Sequence, residues 1–217
     1  MDFPTGSELR IWQSEKLCRE AVENLRRHRF DAVYCATADE AKAAALALAE
    51  GAANAGFGGS KTVEDLGIQA ALAERGVQPL NHAGTKGDER LRVMAAQKCC
   101  DVFFLSANAL SVEGEIVNID GIGNRVAASI HGPKKVVFIV GRNKLVRGGI
   151  AAAIARVHEK AAPPNCYRLS RKTPCAATGA CADCDSPDRI CNVLVVLERR
   201  PSATDVHVLV VNEDLGL

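Results

Sequence analysis

The chain has 217 residues, 27 basic and 26 acidic side chains, and 47% apolar residues. That composition can bury the core of one large domain, and its balanced charge offers no electrostatic drive toward nucleic acid or a membrane surface. Aromatic residues at 4% argue against base-stacking platforms. The opening MDFPTGSELRIWQSEKL has no basic, apolar leader, and runs such as VVFIV and VLVVL fall short of the ~20 residues of a bilayer helix. A cytoplasmic protein without membrane insertion is expected.

In chain order, residues 8–29 place Leu9, Trp12, Leu17, Ala21 and Leu25 at helical spacing. DAVYCA (31–36) reads as a buried strand, and Thr37 with Glu40 has capping-box spacing before an alanine-rich helix. After GFGGSKT, VEDLGIQAALAERG predicts one helix stopped at Gly76, and VQPL a strand. Residues 87–99 read as helix and DVFFLSA (101–107) as strand, while LSVEGEIVNI predicts a hairpin turning at Glu113-Gly114. GNRVAASIH predicts a helix, KKVVFIVG (134–141) a buried strand, and residues 147–161 a helix ended by Pro163-Pro164. CNVLVVLE and VHVLVVN look like a strand pair completing an edge or a small second sheet. Strands alternating with helices predict an α/β fold, a mostly parallel sheet with helices on both faces.

Three constellations carry candidate chemistry. In GFGGSKT, glycines and a following helix N-terminus could receive an anion, or simply form a tight turn. The stretch is neither a P-loop nor G-x-G-x-x-G. SANALSVEGEIVNIDGIGNRVAA gathers Asn108, Asn118, Asp120, Asn124 and Arg125 at strand ends, where open α/β sheets bind ligands. Arg125 could clamp a carboxylate or phosphate and Asp120 could act as general base; the bland reading is turns and a helix cap. In VGRNKLVRG, Lys144 could meet an anion at the same edge, or lie in solvent as most lysines do. His82 and His131 beside turns read as structural histidines, and Cys99-Cys100 as buried and inert.

PCAATGACADCDSPDRIC (174–191) holds four of the nine cysteines. A reducing compartment and an odd count argue against full disulfide pairing. Cys181-x2-Cys184 is a two-thiolate bite, and Cys175 and Cys191 complete four ligands, as tetrahedral zinc or a [4Fe–4S] cluster requires. The spacing matches neither a zinc ribbon nor the bacterial ferredoxin run, so the metal stays open between them.

Taken together, GFGGSKTVEDLGI, DVFFLSANALSVEGEIVNIDGIGNRVAA, GPKKVVFIVGRNK and TPCAATGACADCDSPDRIC resemble the LUD domain family, named for lactate utilisation. The resemblance implies one Rossmann-like domain over residues 1–217, of the isomerase and CoA-transferase type, with a four-cysteine loop at 165–192. It implies that Gly58, Gly59, Ser60 and Thr62 line an anion pocket faced by Asn108, Asp120, Gly121, Asn124 and Arg125. Some family members work in oxidation of L-lactate to pyruvate beside iron–sulfur partners; no glutamate nucleophile of the transferase type can be assigned, since Glu113 and Glu115 only flank a turn.

The resulting expectation is a redox-linked protein of organic-acid metabolism. It would bind a small anionic metabolite, carry a [4Fe–4S] cluster on Cys175, Cys181, Cys184 and Cys191, and pass electrons to a protein partner. The alternatives are an isomerase- or transferase-like enzyme with structural zinc and a non-catalytic ligand-binding protein. A homo-oligomer is compatible with each.

Overall fold

The computed structural model describes residues 4–217. Helix α1 (Gly6–Arg27) opens on a reciprocal cap: the Thr5 hydroxyl accepts from the Glu8 amide, and the Glu8 carboxylate accepts from the Thr5 amide. Cys18, Ala21, Val22 and Leu25 form its buried stripe, whereas Leu9 and Trp12, expected on that stripe, are exposed. Strand β1 (Asp31–Cys35) leads to α2 (Ala38–Leu48), where Thr37 caps Glu40 but the Glu40 carboxylate turns to the Ala36 amide.

Strand β2 (Asn54–Phe57) is followed by two helices where one was expected, α3 (Lys61–Asp65) and α4 (Ile68–Glu74). They divide at Gly67, whose φ of 63° breaks the helical path. Then come β3 (Gln78–Asn81), α5 (Gly87–Gln97), β4 (Val102–Leu105), the hairpin β5 (Ala109–Ser111) and β6 (Ile116–Asp120), and α6 (Asn124–Ile130). Strand β7 (Lys135–Gly141) passes through a 3-10 turn at Arg142–Lys144 into β8 (Leu145–Val146) and α7 (Gly149–Arg156).

The expected stop at Pro163-Pro164 is not observed. A π-helical turn at Val157–Ala161 carries α7 directly into α8 (Ala162–Arg168), with the prolines in its first turn. There the missing proline N–H groups cost little, because the widened turn has already broken the regular bonding pattern. A short α9 (Pro174–Thr178), β9 (Val193–Leu197) and β10 (Asp205–Val211) complete the chain.

Two sheets result. The main one is parallel throughout, in the order β1-β10-β7-β4-β2-β3. Along β7, Val136, Phe138 and Val140 face one core with α1, and Val137 and Ile139 face another with α2 and α4. Burial on both faces explains the unbroken apolar run. Pro79 lies in β3 at the sheet edge, where its missing donor is tolerated. This is the expected α/β architecture. The smaller sheet, β8-β5-β6-β9, packs Leu110 and Ile116 on the main core and Ala109 and Val117 on α7.

One expected pairing is wrong. β9 and β10 do not pair; β9 pairs antiparallel with β6, while β10 lies between β1 and β7. Their burial explains the separation. Val206, Val208, Val210 and Val211 are fully enclosed, as an inner parallel strand requires, while Val193 and Leu194 of the edge strand β9 are exposed. No helix among the described residues is long and apolar enough to cross a membrane.

Candidate anion crevice and cysteine cavity

The crevice lies beyond the carboxyl ends of β2, β4 and β7, where open parallel sheets leave space. Ser60 and Thr62 reach it after β2, Ser106 and Asn108 after β4, and Lys144 after β7; Arg125 enters from α6. Lys61, Ala107, Ala161, Asn165, Arg168 and Leu217 complete the wall. The space is about 50 Å³, room for about four water-sized groups. Three cationic side chains, Lys61, Arg125 and Arg168, line it with the Lys144 amine and no Asp or Glu, so its chemistry favours a small anion.

Arg125 is held rigidly. Its Nε donates to Asp120 Oδ1 at 2.8 Å, and Nη2 donates to Asn108 Oδ1 at 2.9 Å and to the Ile119 carbonyl at 3.1 Å. Asp120 Oδ2 accepts the Val126 amide, tying β6 to α6. Both side chains are largely buried, 13% and 9% exposed, so the pair is little screened by water. Arg125 Nη1 has no protein partner among the described residues. Gly58 lies beneath: a Cβ there would stand 2.8 Å from Arg125 Cγ.

Lys144 is not solvated; it is 3% exposed. Its Nζ donates to Thr62 Oγ1 at 2.8 Å and to Ser106 Oγ at 2.9 Å. Burial, with the nearby Arg156 and Arg125 charges, pushes its pKa down to about 7.

Of the expected anion site, Ser60, Thr62, Asn108, Arg125 and Lys144 converge here. Gly58 and Gly59 line an adjoining groove beside α4, which shares Ser60 and Arg168 with the crevice. Asn124 stands in a separate groove with Leu91 and Ile122, and Gly121 packs against Ile190 of the cysteine loop. Asn118 accepts the Asn108 amide within the small sheet. Glu113 accepts from Ser111 and from the Gly148 and Gly149 amides, bonds that hold its carboxyl below the usual range and tie the hairpin to α7. His82 packs on Gln97 and His131 ends α6, whereas Cys99 is exposed and only Cys100 is buried.

Cys175, Cys181, Cys184 and Cys191 do come together, around a small cavity that Cys166 and His158 also line. Sequence reading missed both: Cys166 precedes the spaced run, and His158 belongs to a helix with no metal-binding signature. The Cys181 thiol lies 3.6 Å from His158 Nδ1. Arg189 organises the loop, donating to the Cys184 and Cys191 carbonyls and pairing with Asp183 at 2.9 Å. All nine cysteines are free thiols.

Among the described residues, the only three His, Cys, Asp or Glu ligand atoms within 4.8 Å of one another belong to Asp31, Asp205 and His207, at the start of β1 and β10. The clustered thiols are therefore spread more widely. Tetrahedral zinc with Zn–S bonds of about 2.3 Å would bring its sulfurs to about 3.8 Å; a cubane cluster binds each thiolate through a different iron and spaces them further apart. Four thiols around one cavity are a donor set that either centre can use.

The two sites share a wall. Ala161, Asn165 and Arg168 line the crevice, while His158, Ala162 and Cys166 line the cysteine cavity. These sets lie on neighbouring faces of the α7–α8 rod, about 100° apart by helical geometry. A second link runs through β6: the Asp120 side chain holds Arg125, and its carbonyl accepts the Asn192 amide just after Cys191.

Fold and sites define an α/β protein whose basic crevice lies one helix away from a cluster of thiols. The model of the LUD domain matches residues 18–211, and the chain belongs to that family, named for lactate utilisation. The chain is similar to the crystal structure of a DUF162 family protein from Deinococcus radiodurans, with a TM-score of 0.54 over 91% of this chain and 98% of that one. At 14% identity this likeness shows the fold alone. No curated protein matches the chain.

Proposed function

We propose that the protein is a redox-linked member of organic-acid metabolism, binding a small anionic metabolite in the crevice and a [4Fe–4S] cluster through Cys175, Cys181, Cys184 and Cys191. The observation that carries this reading is the shared α7–α8 wall, which puts the anion site and the thiol site within one helix of each other. The four thiols around one cavity supply the donor set that a cubane cluster takes. When bound, the cluster would supply one-electron transfer with a protein partner.

The chain's own residues do the rest. Arg125, fixed by Asp120 and Asn108, offers its remaining donors to a carboxylate. Ser60 and Asn108 supply neutral donors, and the α7–α8 rod keeps the metabolite from direct contact with the thiols.

Anaerobic purification followed by iron, sulfide and zinc analysis tests the reading. About four irons per chain with matching sulfide and a broad visible absorption is the expected result. One zinc without colour would overturn the redox role and leave a structural clasp beside an isomerase- or transferase-type crevice.

A further inference from the structure

Lys144 is the buried group that anion binding alone does not account for. A surface cation would attract an anion as well, at no cost of burial. Its surroundings are unusual for a lysine. Nζ sits between two hydroxyls, and neither belongs to an acid: Thr62 Oγ1 donates onward to the Leu215 carbonyl at 3.3 Å, and Ser106 Oγ to the Ala107 carbonyl at 3.3 Å.

With their own protons committed, both hydroxyls accept from Nζ. A neutral amine spends its two N–H bonds on them, which leaves the nitrogen lone pair as the one valence not engaged by protein. The residue borders the crevice, and Arg125 lies across the same space. A nucleophilic nitrogen and a guanidinium in one small cavity match the two ends of a 2-oxo acid or a small anionic aldehyde.

We propose that Lys144 is a covalent catalytic residue, whose amine condenses with the carbonyl carbon of a small 2-oxo acid or anionic aldehyde while Arg125 holds the carboxylate. The Nζ lone pair forms a C–N bond as the carbonyl π pair moves to oxygen. Two protons pass from nitrogen to oxygen, the first turning the alkoxide into the carbinolamine hydroxyl and the second turning that hydroxyl into water, with Thr62 and Ser106 beside the nitrogen to relay them. The C–O bond then breaks, water leaves and an imine remains. No electrons are gained or lost overall. The depressed lysine pKa, about 7, leaves much of the amine unprotonated at neutral pH. The inference rests on the reading of the crevice as an anion site, and adds to it the identity of the reacting group.

The test uses the full chain, pyruvate and glyoxylate as carbonyl acids, acetone as an uncharged control, and cyanoborohydride to reduce any imine to a stable amine. Peptide mass mapping then locates the adduct in the wild-type protein, so the result does not depend on a variant folding. Modification of Lys144 at least about tenfold above exposed Lys134, and little with acetone, is expected. Its loss in Lys144→Arg, with circular dichroism unchanged, would agree.

Calorimetry with the same acids, without reductant, separates the two readings. Binding without a Lys144 adduct would overturn the imine and leave the anion crevice standing. Absence of both binding and adduct would overturn the two together. Equal labelling of all lysines would also overturn the proposal.

Discussion

Asn165 and Cys166 are consecutive on α8, yet Asn165 lines the anion crevice and Cys166 the cysteine cavity. A single helix thus serves as the partition between two chemically unlike sites. Its π turn at Val157–Ala161 shifts the rotational phase of everything downstream, which sets which face α8 turns to each cavity. Inserting one alanine between Ala161 and Ala162 should add one helical residue after that turn and rotate α8 by about 100°. Metal content and anion affinity should then fall together, measured by iron analysis and calorimetry on the same preparation. Loss of one without the other would show that the partition is not shared.

Asp120 carries two burdens, the Arg125 guanidinium and the Val126 amide. In Asp120→Asn the shape survives, but the buried guanidinium loses its countercharge. Stability should drop by about 2–4 kcal/mol in urea titrations, and anion affinity should weaken because Arg125 is no longer fixed. A loss below about 0.5 kcal/mol, typical of ordinary surface changes, would mean that water reaches the pair freely.

Two adjacent glycines offer an internal control. A Cβ at Gly58 would press on Arg125 Cγ at 2.8 Å and on Phe103 Cζ at 3.3 Å, and Phe103 is fully buried. At Gly59 there is open space, but φ is 72°. Gly58→Ala should therefore weaken anion binding by displacing Arg125. Gly59→Ala should cost about 1 kcal/mol of backbone strain and leave affinity nearly unchanged. Calorimetric titration with pyruvate compares the two, and equal affinities would remove Gly58 from the support of Arg125.

The sequence made the main sheet legible because its strands are buried on both faces, and a short run such as VVFIV, bounded by lysine and glycine, suits little but an inner strand. Which strands pair is a different matter. β9 and β10 are both apolar and separated by a short loop, and only their neighbours decide that β10 enters the main sheet while β9 edges the small one. The cysteine ligands were readable from their spacing, whereas Cys166 and His158 come from a helix whose pattern signals only packing. Lys144 could not be recognised as buried. A lysine beside Gly, Arg and Asn resembles a solvated turn until the 3-10 turn after β7 tucks it beneath Gly216, whose missing side chain leaves room for the Thr62 hydroxyl that Nζ bonds.

The lysine also predicts a pH dependence of stability. Its ordinary pKa of 10.5 falls to about 7 in the folded chain. Between these values the unfolded chain holds a proton that the folded chain has released, so folding is penalised there and the penalty shrinks as pH rises. Below pH 7 the penalty is full, and the Asp65 charge offsets only a small part of it. Lys144→Met removes the effect. Wild type should gain on the variant by at most about 1.4 kcal/mol per pH unit between pH 7 and 10, read as the difference of paired urea titrations so that thiol ionisation cancels. A pH-independent difference would show that the amine stays charged when folded.

Arg189 gives the sharpest test of the cysteine loop. Its fork donates to the Cys184 and Cys191 carbonyls at once and pairs with Asp183, a residue held at a φ of 41°. The Asp183 side chain is 84% exposed, so that ion pair contributes little; the two carbonyl bonds fix where the thiols stand. Lysine has one nitrogen and cannot span both carbonyls. Arg189→Lys should therefore behave like Arg189→Ala, holding metal about 10–100-fold more weakly in chelator competition, with helix content and anion affinity unchanged. If Arg189→Lys retained metal as wild type does, charge beside the thiolates, and not the geometry of the fork, would be what the loop requires.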